Sequence, residues 1–190
     1  LQRVLRSLST VPAESPLPCR ALKTDMKNNI VLIGMPSAGK STLGVILAKS
    51  LGKQFVDTDL LIQKHTGETL QETINRDGIK AFLEIEETVV ASAECDNSVV
   101  ATGGSVVFSE KAMDKLKENG TVVYLDVPLS DIKRRLNNIT TRGIAMNPNE
   151  TIETVYEQRL PLYRKYADIT VPAADTDFEQ TVEKIIKSLF

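Results

Sequence analysis

The chain has 190 residues, of which 42% are apolar and 25% are charged, and its formal net charge at pH 7 is −2. That length suffices for one well-buried core but not for two full domains. Because positive and negative charges are interspersed, we expect neither a nucleic acid nor a membrane partner, and small molecules are the expected ligands. No apolar run reaches the roughly 18 to 20 residues that a membrane-spanning helix needs.

The two cysteines and the single histidine exclude two further kinds of site. Cys19 and Cys95 lie far apart without C-x-x-C spacing, and His65 has no second histidine to join it. The sequence therefore predicts neither a disulfide framework nor a zinc centre. We expect a monomer in a reducing, cytoplasmic compartment.

Residues 1–25 differ in composition from the rest of the chain, with three arginines and three prolines but no sustained helical period. We interpret them as a leader or tag-like segment and expect them to be disordered. An organelle-targeting presequence is the alternative, although Glu14 and Asp25 count against it. Because Met26 directly precedes "KNNIVLIGM" and looks like a natural start, we expect a single domain over 26–190.

Strands and helices are predicted to alternate along the chain. The pattern favours a doubly wound α/β fold with right-handed crossovers, in which ligands bind at the carboxyl ends of the strands. Short apolar runs predict strands of a parallel sheet at 29–33, 54–57, 98–101, 121–127 and 168–171. Helical patterns cover 41–51 and 79–93, begin at 109 and 129, and end the chain at 177–190.

The stretch "GMPSAGKST" follows the first predicted strand and opens a predicted helix, with G-x-x-x-x-G-K-S spacing. Glycines at these positions let backbone N–H groups turn toward a phosphate, and the helix N-terminus adds its positive end. Lys40 can reach the β- and γ-phosphates, and Ser41 can ligate Mg²⁺. The alternative is a glycine-rich turn with an exposed lysine. We assign nucleotide binding to Gly34, Ser37, Ala38, Gly39, Lys40, Ser41 and Thr42.

Two carboxylates end the second predicted strand in "DTD". Being two residues apart, Asp57 and Asp59 can share one face near a strand end. Beside a nucleotide, Asp57 can hold Mg²⁺ through its waters, while Asp59 can orient an attacking hydroxyl and accept its proton. An ordinary turn and helix cap is the alternative for this motif.

Two glycines end the third predicted strand in "ATGG". Gly103 and Gly104 permit close approach of the backbone to a substrate, with a plain tight turn as the alternative. The fourth predicted strand contains "VVYLD" at 122–126, whose Asp126 also resembles the metal-binding aspartate of many ATPases. We favour the simpler interpretation, that "DVP" leads into a helix.

Arginines are concentrated between 134 and 164. The polar segment at about 138–150 has few core-forming residues, as a mobile lid would. Arg142 within this lid can swing onto the transferring phosphoryl group, unless it is a solvated loop residue. Arg159 precedes Pro161, which we expect to disturb its helix, and there it can grip a substrate anion.

In chain order these motifs resemble the shikimate kinase family over about residues 28 to 189. The motifs that carry the resemblance are "GMPSAGKST", "FVDTDLLIQ", "DGIKAFLEIEE", "VVATGG", "TTRG" and "QRLPLY". The resemblance implies a three-layer P-loop kinase fold with five parallel strands and a lid. It also implies transfer of the γ-phosphoryl group of ATP to a hydroxyl of shikimate, with Mg²⁺.

The resemblance further assigns a role to single residues. It implies catalytic roles for Lys40, Asp59 and Arg142, and metal binding by Ser41 and Asp57. It places Arg135 against the adenine and Arg142 at the nucleotide. Substrate binding falls to Asp59, Gly103, Gly104 and Arg159, the last holding the substrate carboxylate.

The chain departs from the family pattern at the substrate. Leu83 stands in "FLEIE" where the family has an arginine that grips the carboxylate. Glu86, which normally partners that arginine from the same helical flank, is expected to lose its partner. Ser105 replaces the third glycine of G-G-G, and the late arginine expected near "VPAAD" is absent.

Alternatives follow from these departures. Either Arg76 or Lys80 replaces the lost charge and shikimate remains the substrate, or the pocket is remodelled for another small hydroxy compound. A non-catalytic nucleotide-binding module is a second class, favoured by Leu83 but opposed by the complete phosphate motifs. A GTPase is disfavoured because the sequence has no N-K-x-D motif.

Overall fold

A computed structural model describes residues 27–136, 144–147, 150–174 and 177–190. Within them the chain forms a five-stranded, all-parallel sheet with the strand order β2-β3-β1-β4-β5. The predicted leader, Arg142 and most of the predicted lid lie outside the described residues. The strands are β1 (Asn29–Ile33), β2 (Gln54–Asp57), β3 (Ser98–Ala101), β4 (Gly120–Asp126) and β5 (Ile169–Pro172).

The sequence predictions for the strands are confirmed, with shifts of one residue at β4 and β5. β1 lies at the centre of the sheet and is buried along its whole length, which explains its continuous apolar run. In register, Leu32 lies beside Ala101 of β3 and Val123 of β4. Asp57 of β2 also pairs with Ala101, so the ends of the first three strands meet at one edge.

Helices flank the sheet and complete the predicted α/β architecture. α1 contacts α7, and α3 contacts α4. A 3₁₀ turn at Val106–Phe108 follows β3. The helices are α1 (Lys40–Leu51), α2 (Thr58–Thr66), α3 (Leu70–Ser92), α4 (Glu110–Glu118), α5 (Leu129–Leu136), α6 (Ile152–Tyr166) and α7 (Phe178–Leu189).

The sequence did not predict α2 or the first part of α3. α2 buries only Thr58 and Ile62, too little to show an apolar stripe. α3 is two helical segments that meet at Gly78, whose φ of 80° and ψ of 170° are not helical. A positive φ suits glycine, and Gly78 interrupts the helix at this point. The apolar pattern that begins at residue 79 therefore corresponds only to the second segment.

Two apolar clusters stabilise the fold. The larger lies on the sheet, and the smaller is formed by Ile62, Ile74, Phe82 and Val89. The smaller cluster joins α2 to α3 and so fixes one wall of the site described below. No helix in the described part of the chain is long and apolar enough to cross a membrane.

Candidate active site

The loop between β1 and α1 forms the predicted phosphate cradle. Gly34 and Gly39 have φ values of 145° and 93°, and Ser37 has a φ of 63°. A Cβ on Gly34 would lie 2.9 Å from the carbonyl oxygen of Leu125, so backbone conformation and space both require glycine there. The loop therefore has the turned-in backbone that an anion nest needs.

Two buried polar side chains lie in this loop. Lys40, only 8% exposed, donates hydrogen bonds from Nζ to the carbonyl oxygens of Gly34 at 2.7 Å and Met35 at 2.8 Å. The Ser37 hydroxyl is buried and has no hydrogen-bond partner among the described residues. Because buried polar groups are normally paired, the cradle fits a ligand that brings acceptor oxygens, as a phosphate does.

Arg135 connects the cradle to the segment after β5. Its guanidinium donates to the carbonyl oxygens of Ser37 and Ala38, both at 3.3 Å, and to those of Ala173 and Ala174, both at 3.4 Å. These contacts place Arg135 beside the predicted nucleotide site. Thr42, which the sequence also assigned to nucleotide binding, lies in the first turn of α1 and is exposed.

The two aspartates of "DTD" have different positions at the end of β2. Asp57 caps α2, with Oδ1 accepting a 3.0 Å hydrogen bond from the Asp59 N–H. Thr58 between them accepts a 3.1 Å hydrogen bond from the Gly103 N–H. These contacts tie the end of β2 to the glycine pair that follows β3.

The predicted metal ligands are oxygen donors of the kind that Mg²⁺ prefers beside a nucleotide phosphate. They are the Ser41 hydroxyl and the Asp57 carboxylate. Among the described residues, no group of three or more His, Cys, Asp or Glu side chains could hold a metal ion. The two oxygen donors fit a magnesium ion whose remaining ligands are phosphate oxygens and waters.

The glycine pair is packed too tightly for side chains. A Cβ on Gly103 would overlap Glu86 Oε1 and lie 3.0 Å from Asp59 Oδ1. A Cβ on Gly104 would lie 2.8 Å from Cδ of Pro36 and 3.0 Å from Arg159 Nη1. Both glycines are therefore required by space, and both lie against predicted substrate-binding side chains.

Arg159 lies on α6, is 1% exposed and projects into the site. Its Nη2 donates a 2.6 Å hydrogen bond to the Ala145 carbonyl oxygen, and the guanidinium lies 5.4 Å from the Phe108 ring centroid. Nε and Nη1 have no hydrogen-bond partner among the described residues. We expected Pro161 to disturb its helix, but α6 continues through Pro161 to Tyr166.

A cavity of about 50 Å³ brings the predicted residues together. Its polar lining suits a hydrophilic molecule. Of the predicted residues it is lined by Lys40, Ser41, Asp59, Gly103, Gly104 and Arg159. The remaining lining residues are Pro36, Leu70, Phe82, Glu86, Thr102, Ser105, Ile144 and Ala145.

Glu86 is a buried carboxyl in the wall of this cavity. It is 2% exposed, and its Oε1 has no hydrogen-bond partner among the described residues. Burial raises the pKa of the Glu86 carboxyl from 4.5 to about 7. A hydrogen bond from Ser105 opposes this rise in pKa, the Asp59 charge adds to it, and the Arg159 and Lys40 charges oppose it.

Leu83 lies near Glu86 on α3, but unlike Glu86 it does not line the cavity. Both residues line a groove of about 200 Å³, together with Lys80 and Phe108. Within the described part of the chain, no ion pair joins Lys80 to Glu86. Arg76 is half exposed and pairs with Glu68 at 2.6 Å and Asp77 at 2.7 Å. In this structure Arg76 is therefore engaged elsewhere, while Lys80 lines the same groove as Leu83.

Sequence reasoning overlooked two residues that shape the site. One is Thr58, which lies between Asp57 and Asp59 and was not predicted to have a role. The Tyr163 hydroxyl donates a 2.6 Å hydrogen bond to the Gly104 carbonyl oxygen, and burial raises the pKa of this phenol, which keeps it protonated. Tyr163 follows Arg159 by four residues, a spacing that puts both on one face of a helix and was a usable signal.

Comparison with known proteins identifies the group to which this arrangement belongs. The family model described as shikimate kinase matches residues 36–190. The chain belongs to the shikimate kinase family. Members are small-molecule kinases, which agrees with the phosphate cradle and the adjoining polar cavity.

Several shikimate kinases resemble the chain over most of its length. That of Thermodesulfovibrio yellowstonii is 38% identical, covering 84% of this chain and 93% of the relative. That of Clostridium botulinum is 40% identical, with coverages of 74% and 84%. The crystal structure of the Aquifex aeolicus shikimate kinase aligns with a TM-score of 0.71 at 32% identity, covering 85% of this chain and 95% of that one.

A structure of Acinetobacter baumannii shikimate kinase in complex with shikimate is also similar. It aligns with a TM-score of 0.73 at 29% identity, covering 85% of this chain and 92% of that chain. Together with the family match, this confirms the predicted P-loop kinase fold with a five-stranded parallel sheet.

Proposed function

We propose that the protein transfers the γ-phosphoryl group of ATP to a hydroxyl group of a small carboxylic acid, with shikimate as the first acceptor to test. The observation that carries the proposal is the convergence of Lys40, Asp59 and Arg159 on one cavity beside the phosphate cradle. A cation for the phosphates, a carboxylate for the hydroxyl and a cation for the acid are the three groups that this reaction needs.

On the nucleotide side, the loop from Gly34 to Thr42 binds the phosphates through its backbone N–H groups. Lys40 leaves its two carbonyl partners to reach the β- and γ-phosphates. Arg135 positions the adenine end, next to the cradle carbonyls that it already contacts. Mg²⁺ held by Ser41 and Asp57 would offset the charge of the transferring group.

On the acceptor side, Arg159 binds the carboxylate of the acid through Nε and Nη1. Asp59 orients the reacting hydroxyl and accepts its proton. Gly103 and Gly104 let the acceptor approach the backbone closely. Arg142, from the proposed lid at about 138–150, stabilises the charge of the transferring group, and closure of that lid excludes water.

The test is ADP release by the purified protein with Mg·ATP, with and without saturating shikimate. We expect strong stimulation by shikimate, and we expect Lys40→Ala and Asp59→Ala to abolish it while circular dichroism shows an intact fold. The matched controls are Lys64→Ala and Asp114→Asn, because both side chains are exposed and outside the cavity. Turnover at the wild-type rate in either active-site variant would exclude the proposed roles.

A non-catalytic nucleotide-binding module is the second candidate, and Leu83 is the observation that favours it. A module of that kind would bind ATP, measured by calorimetry, without releasing ADP with any acceptor. The complete set of phosphate-binding and hydroxyl-binding residues favours the kinase.

We further propose that residues 26–190 act as one domain, preceded by a leader at 1–25, and that the protein works as a cytoplasmic monomer. Support comes from the interspersed surface charge and from Cys95, which is a free thiol. Light scattering of the protein with and without residues 1–25, and cell fractionation, test these statements.

A further inference from the structure

The acceptor cavity contains one cationic and one acidic side chain that are both buried and both incompletely paired. Arg159 has two nitrogens, Nε and Nη1, without hydrogen-bond partners among the described residues, and Glu86 Oε1 also has none. The two side chains therefore do not bond to each other through these atoms. Leaving buried charged groups unsatisfied costs free energy, so a ligand that paired both would bind favourably.

The side chains of Glu86, Asp59 and Arg159 line one cavity. Glu86 Oε1 and Asp59 Oδ1 both lie beside Gly103, and Arg159 Nη1 lies beside Gly104. Because consecutive Cα atoms are about 3.8 Å apart, one compact ligand can contact all three groups.

The charges of Arg159 and Lys40 oppose the rise in the pKa of Glu86, yet Glu86 Oε1 has no hydrogen-bond partner among the described residues. Leu83 stands on its helical flank, Arg76 is engaged by Glu68 and Asp77, and Lys80 forms no ion pair with it. A positively charged N–H donor on the ligand would complement this oxygen. A hydroxyl alone would supply a hydrogen bond but not a charge.

We propose that the acceptor site also takes small hydroxy amino acids, with the ammonium group on Glu86, the carboxylate on Arg159 and the hydroxyl on Asp59. This inference rests on the proposed kinase function and adds a second class of acceptor to it. The hydroxyl oxygen attacks the γ-phosphorus of ATP, the bond from that phosphorus to the β,γ-bridging oxygen breaks, and Asp59 takes the hydroxyl proton. The products are a phospho-amino acid and ADP.

Titration of Glu86 is compatible with this role. Its pKa of about 7 without a ligand means that much of the carboxyl is ionised at neutral pH. This pKa is affected by Asp59, Arg159, Lys40 and Ser105. An ammonium ion beside Glu86 would lower it.

The experiment compares matched acceptors in the ADP-release assay with Mg·ATP. L-serine, L-threonine and L-homoserine are each tested against the acid that lacks only the ammonium group: 3-hydroxypropionate, 3-hydroxybutyrate and 4-hydroxybutyrate. Shikimate is a separate arm. We expect at least one amino acid to exceed its partner about tenfold or more in kcat/KM, with phospho-amino acid identified by mass spectrometry.

Two variants separate the role of Glu86 from a structural one. Glu86→Gln keeps the shape but loses the charge, and we expect it to reduce the kcat/KM ratio of each amino acid to its partner acid about tenfold. Glu84→Gln, an exposed neighbour on the same helix, should leave the preference unchanged. An equal loss for both members of each acceptor pair in Glu86→Gln would contradict recognition of the ammonium group.

The remaining outcomes distinguish this inference from the proposed function. Stimulation by shikimate without any amino-acid preference overturns the inference and supports the function. Stimulation by an amino acid but not by shikimate supports the inference and excludes shikimate as the acceptor. Failure of every acceptor, or of ATP binding measured in parallel, overturns both.

Discussion

Nη1 of Arg159 lies 3.0 Å from the point that a Cβ on Gly104 would occupy. The Arg159 guanidinium thus approaches the glycine pair closely, although 55 residues separate Arg159 from Gly104 in sequence. This approach, together with the hydrogen bond from Tyr163 to the Gly104 carbonyl oxygen, defines the position at which we propose that the acceptor's anionic group binds.

Gly104→Ala is the first prediction. The new methyl group would lie within 3.0 Å of both Pro36 and Arg159, so the guanidinium must move away from the cavity. We expect KM for the acceptor to rise about tenfold or more, with the affinity for ATP nearly unchanged. Steady-state kinetics and calorimetry with ATP measure the two effects, and equal loss of both affinities would show general distortion instead.

Arg135→Ala tests the nucleotide side. This change removes the guanidinium that holds four backbone carbonyls around the cradle. Loss of charge-assisted hydrogen bonds worth roughly 1.5 kcal/mol corresponds to about a tenfold rise in KM for ATP. KM for the acceptor should stay within about twofold.

The neighbouring Arg134 is the matched control for this variant. It is 62% exposed and pairs with Asp131 within its own helix. Arg134→Ala should leave both KM values unchanged, because exposed ion pairs contribute little. Similar kinetics in the two variants would contradict a specific role for Arg135.

Leu83→Arg tests the departure from the family pattern. A guanidinium at this position lies three residues before Glu86 on one helical flank and can pair with its carboxyl. We expect KM for shikimate to fall about tenfold and any preference for amino acids over their deaminated partners to disappear. KM for shikimate should fall because a second cation lies near the substrate carboxylate. The preference for amino acids should disappear because the Glu86 carboxyl is then paired.

Leu83→Met serves as the control, because it keeps the apolar character and similar volume. It should behave as the wild type with every acceptor. If Leu83→Arg leaves KM for shikimate and the acceptor preference unchanged, the new side chain does not interact with Glu86.

The pH dependence of stability provides a test that needs no substrate. The pKa of Glu86 is about 7 in the native state and 4.5 without the fold, so the native state holds this proton more tightly. The free energy of unfolding should therefore fall as pH rises from about 4.5 to 7, by roughly 3 kcal/mol, and the contribution should be constant above that range.

Glu86→Gln removes this titrating group. The difference in free energy of unfolding between wild type and Glu86→Gln, measured by denaturant titration at pH 5 and pH 8, should shift by that amount in favour of the variant. Glu84→Gln, exposed on the same helix, should give the same difference from wild type at both pH values. Parallel curves for the wild type and Glu86→Gln would show that the buried carboxyl does not change its protonation.

The sequence by itself determined the sheet and the phosphate cradle. Strands buried on both faces must be apolar, so β1 and β3 were predicted with their observed ends, and the β1 end placed Gly34 and Lys40. These features depend on interactions within a few residues, which sequence patterns record directly. α2 and the segment of α3 before Gly78 lack a clear apolar pattern, so the sequence did not predict them.

Only the tertiary structure decided how the acceptor cavity is composed. Asp59, Glu86, Gly103 and Arg159 come from four separate parts of the chain, and their distances depend on how α3 and α6 pack against the sheet. The direction of a side chain on a helix is set by that packing, so Leu83 faces a neighbouring groove while Glu86 lies buried beside Gly103. The pairing of Arg76 with Glu68 and Asp77 is likewise visible only in the tertiary structure.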